Sequence, residues 1–280
     1  MVLHYHLLLL ILIWEYVCND CNECSSLFRE MMVSAKDKFN HFFSASPRGS
    51  NLGLFDFMEP VLTCELEDRD RIGDGPKWIC GLKLLKHDHC CIVYSIGSCG
   101  EYSFKSAVRK VAPNCEIHIY DHTVSRLQVR IAWDKYNSTL HLIGLGQETK
   151  GKLMTLEDMM KANHHFGSPI NIFKVDVEGA EYESFVPIFD MLQSGHLHID
   201  QILIEMHQTT TDLHAYLRKF KDSRFLMSHK ERNGWGCRGV SCVEFAFLSY
   251  QWYQVVFHTT HCPSCPPLFS SAPTFHEIFA

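Results

Sequence analysis

The sequence lacks several features that would place it at once in a common class of protein. No turn carries the full G-x-G-x-x-G spacing of a dinucleotide-binding loop, which disfavours an oxidoreductase. The group His87, His89, Cys90 and Cys91 matches no common zinc-ligand spacing, so we predict no metal site. Charged residues make up 21% of the chain and the net charge is −6, so nothing in the composition predicts a nucleic-acid partner.

The N-terminal apolar run is also short. Leu7 to Trp14 are apolar without interruption, which is too short to span a bilayer comfortably and fits the h-region of a signal peptide. A basic n-region and a small-residue cleavage site are missing, so a membrane anchor and a buried helix of a cytosolic protein stay open as alternatives. We predict a signal peptide or membrane anchor over residues 1–24, and hence a secreted or membrane-anchored protein of the secretory pathway.

The remaining chain divides into three further parts. Its 280 residues can hold one large domain with an added extension. A helical period of apolar residues predicts a helix over 26–43 within an N-terminal helical and loop extension, 25–88. The main domain is predicted over 89–250. The Cys-, Ser- and Pro-rich segment 251–280 is predicted to be disordered, and its Cys262-x-x-Cys265 follows no strand, which argues against a redox motif. The 13 cysteines are an odd number, so at least one has no partner within the chain.

One stretch near the start of the main domain organises the prediction of its fold. Residues 92–96 form the short apolar run of a strand covered on both faces, and Gly97 and Gly100 permit a tight turn. Phe104, Ala107, Val108 and Val111 follow at helical spacing. A strand, a glycine turn and a helix together place free N–H groups at the carboxyl edge of a sheet, although a turn without a ligand is an equally open interpretation.

Strand and helix then alternate along the chain. Further strands are predicted over 116–121, 140–143, 170–175 and 202–207, each followed by a turn or a helical pattern. Two late strands, 224–229 and 242–248, read as a closing antiparallel pair. Five alternating units predict an α/β protein with a mostly parallel sheet.

Chemically useful side chains cluster at the predicted strand ends. Asp121 follows the second strand and can accept hydrogen bonds from ribose hydroxyls, although a turn-capping role is also open. Asp176 and Glu178 follow the fourth strand, where Asp176 could equally be a helix N-cap. Glu205 and His207 end the fifth strand and are candidates for an acceptor site, with His207 as a general base. These ends meet at one edge of a parallel sheet.

These segments together resemble a known family. The Tyr94-Ser95-Ile96-Gly97 turn, Tyr120-Asp121-His122-Thr123, the D-x-E-G-A-E run from Asp176 and Ile204-Glu205-Met206-His207 are similar to the FkbM-related methyltransferase-like family, closest to its animal methyltransferase-like protein 24 branch. The resemblance runs from about Cys64 to Ser249. It implies a Rossmann-like class I methyltransferase fold, S-adenosyl-L-methionine as cofactor and methylation of oxygen on an unidentified small-molecule or glycan acceptor.

The resemblance also implies roles for individual residues. Asp121 would hold the ribose, and Asp176 and Glu178 would border the reaction site, where His207 is the catalytic candidate from its strand-end position. The wider class I pattern has an acid where this chain has Ser95, and Glu101 is a candidate replacement for that charge. An inactive methyltransferase fold that acts as a binding protein is therefore the alternative hypothesis. The complete set of predicted cofactor-binding residues is Gly97, Ser98, Gly100, Glu101, Asp121, Gly144 and Gln147.

Overall fold

A seven-stranded sheet forms the centre of the computed structural model, which describes residues 20–44, 55, 59–70, 76–88, 90–97, 99–208, 212–237, 241–265, 267 and 273–279. Two short sheets accompany it. The strands are β1 (Glu67–Arg69), β2 (Trp78–Cys80), β3 (Ile92–Ile96), β4 (Glu116–Tyr120), β5 (Thr139–His141), β6 (Gly144–Leu145), β7 (Leu153–Met154), β8 (Ile170–Val175), β9 (Ile199–His207), β10 (Phe225–Arg232) and β11 (Cys242–Ser249).

The helices alternate with these strands as the sequence predicts. They are α1 (Cys21–Ser44), α2 (Ser103–Val111), α3 (Arg126–Tyr136), α4 (Leu156–Ala162), α5 (Glu181–Gln193), α6 (Leu213–Asp222), α7 (Tyr250–His261) and α8 (Phe275–Phe279), with a 3-10 helix over Leu82–His87. Among the described residues, no helix combines the length and the apolarity needed to cross a bilayer.

The central sheet has the strand order β10-β11-β9-β8-β3-β4-β5. The five strands from β9 to β5 are parallel, and β11 lies antiparallel between β9 and β10. β3 and β8 are buried along their whole length, as expected of central strands covered on both faces. The prediction of an α/β, Rossmann-like fold with a closing antiparallel pair is confirmed.

The N-terminal extension packs directly on this sheet. The β1–β2 hairpin is pinned at Cys80, whose N–H donates to Gln201 Oε1 at 3.0 Å while Gln201 Nε2 donates back to the Cys80 carbonyl at 3.1 Å. A disulfide joins Cys64 to Cys80. Hairpin and sheet therefore share one hydrophobic core.

The prediction of a disordered segment over 251–280 is wrong for its first part, because Tyr250–His261 form the helix α7. The ring of Phe28 on α1 lies 5.0 Å from that of Phe257 and 6.1 Å from that of Tyr253. Two disulfides, Cys21–Cys265 and Cys24–Cys262, join α1 to the chain that directly follows α7. Part of the aromatic face of α7 is thus buried by α1, far away in the sequence.

Two further disulfides cross-link segments next to strands of the central sheet. Cys91–Cys115 joins the chain just before β3 to the chain just before β4, and Cys237–Cys242 closes the turn into β11. Cys90 and Cys99 are free and exposed. Cys91 therefore belongs to a disulfide, while His89 of the cluster considered above lies outside the described residues.

A single side chain caps the start of α4. Thr155 caps α4 by accepting from the Asp158 N–H at 3.2 Å, as a capping box requires. The Asp158 carboxylate does not return the bond, however, and accepts from the Thr149 hydroxyl instead.

Candidate active site

The glycine turn after β3 is held against the end of β8. Gly97 has φ +69°, and a Cβ built on it would lie 1.6 Å from the Asp176 carbonyl oxygen. The Asp176 N–H donates to the Ile96 carbonyl at 3.1 Å, which fixes the two segments together. Gly97 is therefore required by backbone packing as well as by its left-handed conformation. Cys99 and Gly100 also have positive φ values, of 46° and 75°.

Asp121 links this turn to the end of β4. The carboxyl group is buried, and its Oδ2 accepts from the Cys99 N–H at 2.7 Å. Its Oδ1 accepts from the Thr123 N–H at 2.8 Å and from the Thr123 hydroxyl at 2.6 Å. The structure therefore brings Asp121 to the glycine turn, as predicted, and gives it a structural task there. Its ribose-binding role stays a prediction.

The other predicted cofactor residues are distributed around this edge. Glu101 caps α2, since its carboxylate accepts from the N–H and hydroxyl of Ser103, both at 2.7 Å. Gly144 is buried on β6, where a Cβ would lie 2.4 Å from His122 Nδ1. Gln147 is exposed just beyond β6. Ser98 lies outside the described residues.

Two buried lysines beneath the turn were not identified from the sequence. Lys174 on β8 donates to the Ile96 carbonyl at 3.3 Å, to the Gly97 carbonyl and to Asp176 Oδ2 at 3.3 Å. Lys105 on α2 donates to the Glu101 carbonyl at 2.5 Å. Burial, together with nearby Lys174, lowers the pKa of Lys105 to about 7. The only hint in the sequence was that each is a charged residue within a segment predicted to be buried.

Asp176 stays ionised although it is largely buried. Burial alone would raise its pKa, but Lys174 and Lys77 outweigh burial and hold the pKa well below its usual range. Its side chain keeps 24% exposure. A permanent negative charge therefore sits at the end of β8, open to a ligand.

His207 lies beside Asp176 at the end of β9. Its Nδ1 is 3.2 Å from Glu181 Oε1, and its Nε2 is 3.3 Å from Glu178 Oε2. Burial would lower the pKa of this imidazole, but the hydrogen bond and charge of Glu181, with Glu205 and Glu178, raise it to about 9. At neutral pH the ring is protonated and has no nitrogen that can accept a proton. The environment therefore argues against the predicted general-base role, although Asp176, Glu178 and His207 do lie together.

A family comparison decides what kind of domain this is. A family model described as "Methyltransferase domain" matches residues 30–249, from α1 to the end of β11. The chain belongs to this methyltransferase family. The match includes the N-terminal extension, which fits the shared core of hairpin and sheet.

Solved structures of other methyltransferases match this chain with low sequence identities and low TM-scores. The Burkholderia thailandensis 1,6-didemethyltoxoflavin-N1-methyltransferase, crystallised with S-adenosylhomocysteine, is 9% identical, with a TM-score of 0.38 over 60% of this chain and 76% of its own. An rRNA methylase from Streptococcus thermophilus is 13% identical, with a TM-score of 0.37 over 61% and 92%. None of the curated proteins matches the chain. The family assignment therefore depends on the family model.

A row of buried carboxylates borders the methyltransferase site on its antiparallel side. Glu205 on β9 pairs in register with Glu244 on β11, so both side chains lie on one face of the sheet. Both are buried, and Lys77 Nζ lies 2.5 Å from Glu244 Oε1. Burial raises the pKa of Glu244 to about 8 against the opposing effect of Lys77, and burial with the charge of Asp176 raises that of Glu205.

Only one member of this pair of buried glutamates stands out in the sequence. Glu244 is a charged residue within an otherwise apolar strand, but its partner Lys77 comes from the hairpin far upstream. Their approach depends on tertiary packing, so periodicity could not reveal it.

Replacing Gly97 by alanine tests the packing of the turn. Gly97→Ala should lower the free energy of unfolding by about 3 kcal/mol, because the new Cβ meets the Asp176 carbonyl in a strained conformation. Gly151 is the matched control: it has φ +64° and nothing within 4 Å of a built Cβ, so Gly151→Ala should cost only about 1 kcal/mol. Urea denaturation measures both, and equal losses would refute the contact.

The buried glutamate row predicts a specific pH dependence. Folded Glu244 keeps its proton up to about pH 8, whereas its ordinary pKa is 4.5. The folded state therefore binds more protons in this window, and the stability that Glu244 contributes falls as pH rises through it. Glu244→Gln has no such pH-dependent loss. As pH rises from 5 to 8, its free energy of unfolding should therefore increase relative to that of the wild type.

The control is Glu183→Gln, which removes the same charge from an exposed position on α5. Urea denaturation at several pH values should give a constant difference between Glu183→Gln and the wild type. A similarly constant difference for Glu244→Gln would contradict a raised pKa.

Proposed function

We propose that this chain transfers the methyl group of S-adenosyl-L-methionine to an oxygen atom of a small-molecule or glycan acceptor. The observation that carries the proposal is the meeting of three neighbouring strand ends, where the Gly97 turn lies between Asp121 and Asp176. In open α/β sheets, ligands bind at the carboxyl ends of such strands.

The residues of this edge fit that cofactor by their chemistry. A ribose offers hydroxyl donors, and Asp121 is a carboxylate at the end of the second strand of the parallel sheet. A sulfonium is cationic, and Asp176 supplies a permanent negative charge at the end of β8. Gly97 shows that backbone approaches backbone here without an intervening side chain.

The chemistry of transfer assigns different tasks to the groups at the acceptor side. The cofactor, when bound, supplies an activated methyl group. The protein must align the acceptor and exclude water. Asp176, with its low pKa, is suited to orient a hydroxyl, whereas Glu205, whose pKa is raised by burial and by the charge of Asp176, is the better proton acceptor of the two.

Within the methyltransferases, we assign the chain to the FkbM-related group and its methyltransferase-like protein 24 branch. Support comes from the D-x-E-G-A-E run, in which Asp176 faces the turn while Glu181 holds His207. One observation favours an inactive binding protein instead: Ser95, which stands where the wider pattern has an acid, is fully buried and its hydroxyl has no hydrogen-bond partner.

Calorimetry with S-adenosylmethionine and S-adenosylhomocysteine separates these functions. The wild type should bind both, and Asp121→Ala should bind roughly 10- to 100-fold more weakly, because a charged acceptor for the ribose is lost. Thr123→Val is the control, since it removes a neighbour of Asp121 and leaves the carboxylate in place. A folded wild type that binds neither compound would favour the inactive fold, and undiminished binding by Asp121→Ala would refute the assigned ribose contact.

We further propose that the protein matures in the secretory pathway, with its N-terminal segment as a signal peptide or membrane anchor. Support comes from five disulfides among the described residues, since such bonds persist in oxidising compartments. Peptide mapping of unreduced protein from a secreting host should recover the Cys91–Cys115 and Cys24–Cys262 pairs. Recovery of these cysteines as free thiols would contradict the proposal.

A further inference from the structure

Three side chains at the acceptor side converge on one point. Asp176, Glu178 and His207 each present a potential ligand atom, and these atoms all lie within 4.8 Å of one another. They come from the ends of two adjacent strands, β8 and β9. Two carboxylates and an imidazole are thus brought together at the edge where the acceptor is proposed to bind.

The buried carboxylate of Glu181 fixes the orientation of the His207 ring. Glu181 is fully buried and accepts from the His207 N–H at 2.7 Å, while the same oxygen lies 3.2 Å from His207 Nδ1. Its other oxygen accepts from the Gly179 N–H at 2.8 Å. A buried carboxylate on one ring nitrogen is the usual arrangement behind a metal-binding histidine, because it aims the other nitrogen at the ion.

One of the potential ligand atoms is buried and has no hydrogen-bond partner. His207 Nε2 is buried and makes no hydrogen bond, although Glu178 Oε2 lies 3.3 Å away. Asp176 accepts from Lys174 through Oδ2 at 3.3 Å, and its side chain keeps 24% exposure. Glu178 has φ +54°, an unusual conformation for a non-glycine residue, and its side chain is 85% exposed.

We propose that Asp176, Glu178 and His207 bind one divalent transition-metal ion. Carboxylates and an imidazole together suit ions such as Mn²⁺ and Zn²⁺ better than Mg²⁺ or Ca²⁺, which prefer oxygen ligands alone. The proposal departs from the expectation from the sequence, where no spacing signalled a metal. Asp176 and Glu178 are two residues apart, whereas His207 lies beyond the helix α5 and meets them because β8 and β9 are neighbours in the sheet.

The ion has a chemical task that rests on the proposed function. As the new oxygen–carbon bond forms and the carbon–sulfur bond of the sulfonium breaks, a hydroxyl acceptor must pass its proton to a base, here Glu205. A metal-bound oxygen loses that proton far more readily than a free one. Binding of the ion displaces a proton from the His207 imidazole, since only the neutral ring can coordinate a metal, so the affinity for the ion should rise with pH.

A second group of potential ligands on β4 serves as an internal comparison. Glu116, His118 and His165 also lie close together. Each nitrogen of these rings already has a partner: Glu116 lies 2.7 Å from His118 and 3.4 Å from His165, His141 contacts His118, and Tyr94 contacts His165. This group is a satisfied hydrogen-bond network, so we expect no ion there.

Electron paramagnetic resonance with Mn²⁺ tests the proposal on the full chain with its disulfides intact, at pH 8, where fewer protons compete for the imidazole. The wild type should bind one Mn²⁺ per chain at the tightest site. Glu178→Gln and His207→Ala should each weaken binding at least 10-fold. Glu181→Gln should weaken it by roughly 10- to 100-fold, the usual effect of losing a residue behind a ligand. Glu183→Gln and His118→Ala should leave binding unchanged.

Several outcomes would overturn the proposal. Absence of stoichiometric Mn²⁺ binding, or binding that survives Glu178→Gln and His207→Ala but is lost in His118→Ala, would do so. Glu178 is largely exposed, so its variant tests the site even if the buried changes impair folding. Mn²⁺ binding needs no methyl donor, so the two proposals can fail separately. A wild type that binds S-adenosylmethionine but not Mn²⁺ would refute the metal site and leave the proposed function standing. A wild type that binds Mn²⁺ but not S-adenosylmethionine would refute the proposed function and leave the metal site standing.

Discussion

The close contact between the Gly97 turn and the backbone of Asp176 determines the geometry of the whole site. A side chain at position 97 would occupy the place of the Asp176 carbonyl, so the ends of β3 and β8 can meet only through glycine. Lys174 reinforces the contact by donating to the turn and to Asp176 at once. Asp121 extends it to β4 through the Cys99 N–H. One backbone contact thereby positions the groups from three strands.

The cost of this arrangement is the burial of ionisable groups. Lys77, Lys174, Glu205 and Glu244 are all buried near the strand ends, where unpaired charges would be strongly destabilising. They are tolerated because Lys77 and Lys174 each contact a carboxyl group, because Glu244 keeps its proton below about pH 8, and because the hairpin that carries Lys77 is bonded to the sheet at Cys80. An apolar cluster would be simpler for stability alone, so the retention of these charges is consistent with a functional edge.

Much of the fold could be predicted because its signals are local. The apolar run before Gly97 and the strands ending at Asp121 and Asp176 are visible in consecutive residues, and their alternation with helices fixes a parallel sheet. The helix α7 was missed because its aromatic face is buried by α1, more than two hundred residues away. The Lys77–Glu244 pair was missed for the same reason. The chemical state of His207 depends on the buried carboxylate of Glu181, which no sequence spacing reveals.

A crystal structure of the protein with S-adenosylhomocysteine tests the central claim most directly. If the strand ends form a methyl-donor site, the ribose should lie against Asp121 and the sulfur should face Asp176, with the glycine turn beneath them. Density for the ligand at any other place, or a turn whose Gly97–Asp176 contact is absent in the complex, would contradict the account.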